Sequence, residues 1–226
     1  MPKHEGGGYE QNVRLQERMK AWLDRLEEIG HVRDALGFPI DNNIRETIVA
    51  LNLSGMPTSA SCEGHTDRAR GAPWIKIEAL GRPRERYVGE DGIVETTAEK
   101  YHVSMDDVRR SRNVEAWEEA SNLAANNGET PEYQAWRMKN DILRDRLIML
   151  LEEFYRGRSA EGATHLELSH DPEGTWKLHN GGEDFQRSSR AFSDEERHDL
   201  SERLARYQSE MTAFTDFLRD KYYSSQ

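Results

Sequence analysis

Cysteine is nearly absent from this chain, with one residue, Cys62, in 226. A single thiol cannot close an internal disulfide, so nothing points to an oxidising compartment. Long apolar runs are missing as well, and no stretch approaches the roughly 18 residues of a membrane-spanning helix. The opening "MPKHEGGGYE" lacks the apolar segment of a secretory leader, and its glycines read as a flexible tail over residues 1–10. The expected location is the cytoplasm. Aromatic residues amount to 8% and the hydrophobic set to 35%, against 32% charged residues, which describes a lean interior wrapped in solvated helix surface. Positive charge is also in deficit: the net charge of -11 excludes broad, non-specific nucleic-acid binding, because phosphate contacts need a positive footprint. Glycine-rich phosphate loops, HExxH and Gly-x-Ser-x-Gly are absent.

What is present is helical periodicity in three long segments. Leu15, Met19, Trp22, Leu26 and Ile29 recur at intervals of four and three, with Gly30 as a stop. In the second segment Thr130 is an N-cap and Pro131 suits the first turn. Trp136, Leu143, Leu147, Leu150 and Phe154 then form a stripe that ends near Gly157. The third opens with the capping box "SDEE", Ser193 to Glu196, and continues through Leu200, Leu204, Tyr207, Met211, Phe214 and Leu218. A shorter helix is expected over Asn43 to Ser54, closed by Gly55.

Strands are expected at "PTSASC", "PWIKIEA", "THLELSH" and "TWKLH", the last two joined by the turn "DPEG". Alternation puts Ile75 with Ile77, Leu166 with Leu168, and Trp176 with Leu178. Between the strand pairs, residues 82–128 form a polar, helix-prone insert, including a helix started by Ser104. The fold class is therefore α+β: an antiparallel sheet of about four strands with long amphipathic helices on one face, a two-layer domain over 11–226.

Chemistry concentrates at "TSASCEGH", Thr58 to His65. A strand ends in Cys62, and Glu63-Gly64-His65 makes a tight turn in which Gly64 leaves room for a ligand. An imidazolium beside sulfur would lower the thiol pKa, giving Cys62 as nucleophile or thiolate ligand, His65 as base or orienter and Glu63 as its partner. Ser61 and Trp74 flank the turn; Trp74 falls on the polar parity of its strand and could stack on a planar ligand. From Thr66 to Arg86 six cations (Arg68, Arg70, Lys76, Arg82, Arg84, Arg86) face three anions (Asp67, Glu78, Glu85). That local excess favours an anionic small molecule, a nucleotide or nucleoside. Metal is an alternative, with zinc held by Cys62 and His65 and completed from His165, His170, His179 or Asp67. A further alternative is a non-enzymatic interaction protein, monomer or small homo-oligomer, with a structural cysteine turn.

The stretch "IVALNLSGMPTSASCEGH…PWIKI" resembles a group of bacterial and phage proteins without assigned activity, which share a helix, Leu-Asn, Ser-Cys-x-Gly-His and an apolar strand. This resemblance implies a site at the turn, and the non-enzymatic alternative is an interaction protein of phage or mobile-element type. More distantly, Ser61, Cys62 and Gly64 are similar to the Ser-Cys-Ser-Gly-Arg signature of the wybutosine-synthesis tRNA methyltransferases, with Glu63 and His65 in place of serine and arginine. That family implies S-adenosylmethionine as cofactor and a tricyclic guanine nucleoside in tRNA as substrate.

Overall fold

The computed structural model describes residues 6–34, 37–188 and 192–225. Among them are four strands, which form one antiparallel sheet, and eight α-helices, an α+β architecture. No helix of the described residues is long and apolar enough to cross a membrane. Helix α1 (Gly6–His31) begins inside the stretch expected as a flexible tail, whose residues 1–5 lie outside the described ones. The chain divides into two compact units, residues 1–78 with 142–226, and residues 79–141.

In the first unit the strands are β1 (Thr58–Cys62), β2 (Trp74–Ile77), β3 (Glu167–Asp171) and β4 (Thr175–His179), in the spatial order β1-β2-β4-β3. Register sets two faces. Ser61, Ile75, Leu178 and Leu168 form one cross-strand row, while Cys62, Trp74, His179 and Glu167 form the next row, on the opposite face. The first face carries the core. Against Ile75, Ile77 and Leu178 lie α2 (Arg45–Leu53), the later part of α6 (Pro131–Phe154) and α8 (Asp194–Ser224). Five consecutive residues of α2, Thr47 to Leu51, are buried, as a helix wrapped on every side must be. Its hydroxyl at Thr47 meets Thr215 of α8 at 2.8 Å, which satisfies two polar groups that would otherwise be stranded inside.

The long stripes fold as their caps dictate. Ser193 Oγ accepts from Glu196 N–H and Glu196 reaches back to Ser193 N–H, and every residue of the α8 stripe from Leu200 to Leu218 is buried. Thr130 Oγ1 accepts from Tyr133 N–H at the start of α6. Helix α1 departs from expectation over its first half. Trp22 and Ile29 are buried against α2 and the Tyr222–Tyr223 end of α8, but Leu15 and Met19 are exposed. The reason is length: α2 has 9 residues and α1 has 26, so the partner covers only part of the stripe.

The second unit holds α3 (Glu90–Tyr101), α4 (Met105–Arg109), α5 (Val114–Ala125) and the first turns of α6. It is wider than the expected insert at 82–128. Val94, Ala98, Val108, Ala116 and Ala120 form its core. Its two ends are clasped: Trp136 Nε1 donates to Ala79 O at 2.8 Å, and Ala79 N–H donates to Asn140 Oδ1 at 2.7 Å.

His179 illustrates the cost of the small outer layer. Its ring stacks on Phe185 of α7 (Glu183–Gln186) at 3.8 Å and is only 3% exposed, and neither ring nitrogen has a hydrogen-bond partner among the described residues. Burial pushes its pKa below the usual value and Lys177 adds to this, against weaker upward pulls from Glu167 and the Asn180 backbone. The unfolded chain takes up that proton near pH 6.5. Stability from the neutral ring is therefore complete above about pH 6.5 and is lost as pH falls toward the lower folded value. Urea unfolding between pH 7.5 and 5 should show wild type losing up to about 1.4 kcal/mol per pH unit relative to His179→Phe; parallel losses would contradict the assignment.

Candidate functional site

Cys62 closes β1 and lies beside Trp74 in the sheet, on the face away from the main core. The turn that follows is held at every residue. Glu63 N–H donates to Asp41 Oδ2 at 3.2 Å, Asn43 N–H donates to Glu63 Oε2 at 3.0 Å, and Gln208 of α8 donates to Glu63 O at 2.9 Å. Gly64 N–H points at Cys62 Sγ, 3.4 Å away, and His65 N–H donates to Arg70 O at 2.8 Å. These bonds fold the turn back over the segment that starts α2.

That folding brings together three groups. Cys62 Sγ, a ring nitrogen of His65 and a carboxylate oxygen of Asp41 all lie within 4.8 Å of one another. His65 Nε2 and Asp41 Oδ2 are 3.3 Å apart. The sulfur is buried, with Cys62 6% exposed, while the Asp41 side chain keeps one flank open at 24%. Burial pushes the Cys62 thiol above its ordinary value, and the carboxylates of Asp41 and Glu63 add to this. The backbone groups of Gly64 and Arg70 pull the other way without prevailing. A nucleophilic thiol needs the opposite shift.

Asp41 is the residue that sequence reasoning missed. It sits 21 positions before Cys62 and was hidden in "DNN", which has the composition of any helix start. The histidines weighed as completing ligands go elsewhere. His165 stacks on Tyr155 at 4.0 Å, His170 meets the Trp176 ring edge-on, and His179 stacks on Phe185. Asp67 is exposed in the loop beyond the turn.

The other expected ligand-binding residues divide. Ser61 shares the row of Ile75, so its side chain faces away from that of Cys62. Trp74 is a direct neighbour of Cys62, but its ring packs against Ala72, Phe185 and Tyr207, with Lys177 Nζ 5.6 Å from the ring centroid. Arg68 is exposed. Arg70 is engaged in the fold: its guanidinium donates to the carbonyls of Phe185 (3.1 Å) and Gln186. Arg84 pairs with Asp91 and Arg86 with Glu129, all within the second unit. The room left by Gly64 is likewise taken. A β-carbon there would lie 2.6 Å from Leu204 Cδ1 and 2.8 Å from the Ala72 carbonyl carbon.

No family model, curated protein or solved structure matches this chain.

Two outcomes follow from this geometry. Gly64 has φ +83°, so Gly64→Ala combines backbone strain with a backbone clash and should cost about 2 kcal/mol or more in urea unfolding; a change below about 0.5 kcal/mol would show that the notch relaxes freely. In metal-free native protein at pH 7.5, iodoacetamide should modify Cys62 at least tenfold more slowly than in the denatured chain. Native alkylation as fast as denatured would mean that the thiol is neither buried nor raised.

Proposed function

We propose that this protein binds a divalent transition metal, of the zinc type, through Asp41, Cys62 and His65. The observation that carries the reading is the convergence of one carboxylate, one thiol and one imidazole within 4.8 Å. Thiolate, imidazole and carboxylate are the donors that zinc takes, at about 2.0–2.3 Å in tetrahedral geometry. Such bonds hold nitrogen and oxygen ligands about 3.3 Å apart, and His65 Nε2 and Asp41 Oδ2 already stand at 3.3 Å. Cys62 Sγ, within 4.8 Å of both, has to close to about 3.6 Å.

The surroundings fit a metal better than a free nucleophile. Two neighbouring carboxylates disfavour the thiolate, whereas a bound dication would neutralise them and deprotonate the sulfur outright. Gly64 N–H aimed at Sγ, and Glu63 N–H bonded to Asp41 Oδ2, are the outer hydrogen bonds that fix ligand orientation. Three protein ligands leave a fourth position, and a centre of that kind binds water or an anionic ligand. The anionic small molecule or nucleoside phosphate expected from the sequence enters the proposal there, as a ligand of the metal with Arg68 as the cation left at the surface. S-adenosylmethionine, implied by the weaker family resemblance, draws no support from this donor set.

The test uses untagged protein stripped of metal and titrated with Co²⁺ and Zn²⁺. One equivalent should bind, with a thiolate-to-cobalt charge-transfer band and intense tetrahedral d–d absorption. Cys62→Ser should abolish the charge-transfer band, and His65→Ala and Asp41→Asn should each weaken affinity at least tenfold. A stoichiometry near zero, or cobalt binding without a sulfur band, sinks the proposal.

A further inference from the structure

Open sheet edges are where chains add to one another, and proteins guard them with Pro, Lys, bulges or short strands. The β1 edge is guarded. Pro57 precedes it, and its register slips between Thr58 and Ala60. The β3 edge differs in one respect: like β1 it is five residues long and bordered by a proline, here Pro172, but Glu167–Asp171 contains no Lys and pairs with β4 in unbroken register. Beside it, α6 and the chain entering β3 leave a groove of about 280 Å³ floored by Ile148, Leu151, Leu166 and Leu168. Ile148 on the floor is itself 39% exposed. An apolar groove next to an open sheet edge marks an interaction site more often than scattered exposed residues do.

Charge identifies the occupant. Glu152 and Glu167 border the groove and no Lys or Arg does; Glu152 is the charged side chain on the groove's own face, neither glutamate has an ion-pair partner among the described residues, and Lys177 and Lys76 on the face of Glu167 are paired with Asp171 and Glu173. Glu152 closes the helix side. Glu167 shares the row of Trp74 and His179, so its side chain rises on the other face of β3 from the groove. We propose that this edge binds an extended, alternately apolar and basic segment of a partner protein, which adds to β3 as a fifth strand. Main-chain bonds to β3 give the register. Every second side chain then enters the groove over Ile148 and Leu168, and the intervening Lys or Arg side chains stand beside Glu167. This inference is independent of the metal centre.

The experiment titrates the labelled peptide Lys-Val-Lys-Leu-Lys-Val-Lys into the full chain by fluorescence anisotropy, with Glu-Val-Glu-Leu-Glu-Val-Glu as control. The basic peptide should bind, more weakly as salt rises, and the acidic one should not. The charge reversal Glu152→Lys with Glu167→Lys, and separately Ile148→Asp, should each weaken binding at least tenfold while circular dichroism stays unchanged. Nuclear Overhauser contacts should run from the peptide backbone to β3. The proposal is overturned by no binding of the basic peptide, by equal binding of both, by affinity indifferent to the substitutions, or by a helical bound peptide. Self-association by light scattering that Ile148→Asp abolishes would likewise overturn it, in favour of a second copy as occupant.

Discussion

At Gly64 two parts of the fold close on a bare α-carbon. Leu204 of α8 comes to 2.6 Å, and the chain entering β2 at Ala72 to 2.8 Å, of the point where a side chain would begin. Any L-residue there would have to turn the Leu204 side chain aside and displace the backbone at Ala72 and Pro73 that enters β2. Because the notch is filled, Cys62 and His65 keep a fixed relation across a turn with φ +83°. The bonds from Glu63 to Asp41 and Asn43 carry that rigidity to the start of α2. A second notch at Gly181, where a β-carbon would lie 2.4 Å from Ala72 Cβ, holds the same corner from the β4 side. The three converging donors are therefore a product of close backbone approach, and loop chemistry alone would not hold them.

Electrostatics at the corner inverts what charge counting suggests. The excess of cations between Thr66 and Arg86 reads as an anion cradle, yet Arg70 gives its donors to the carbonyls of Phe185 and Gln186 at the end of α7. Arg84 and Arg86 belong to ion pairs of the other unit. At the thiol itself the neighbouring charges are negative. A cluster that is anionic, partly enclosed and braced by backbone N–H groups is better complemented by a cation than by the phosphate that the local sequence charge invites.

Much of the architecture was legible because local signals and tertiary need agree. The capping box at Ser193, the Thr130-Pro131 start of α6, the four strands and the hairpin at "DPEG" were all read from spacing and turn chemistry, and the α+β class follows from their order. The stripe of α8 is buried at every position named, because α2, α1 and the turn before β3 cover it in succession. The stripe of α1 is half bare, since amphipathicity shows which face can be covered and not how long the partner is. At the candidate site, the motif named Cys62 and His65, and the structure holds them as neighbours. Asp41 escaped notice, because contact between residues 21 apart across a helix start leaves no periodic trace. Nor could sequence reveal that glycine was kept for the protein's own leucine in place of a ligand.

The clasp at the ends of the second unit has a consequence for how the chain assembles. Strand β2 must pair with β4 across about a hundred intervening residues, a separation that slows folding through loop closure. Once Trp136 and Asn140 grip Ala79, the whole stretch from Ala79 to Asp141 no longer counts as slack. Loop entropy falls by about 1 kcal/mol, and α6 is delivered near the end of β2 as a preformed strut. Early formation of the inserted helices would thus shorten the search for the sheet, making the decoration on the chain an organiser of its folding order.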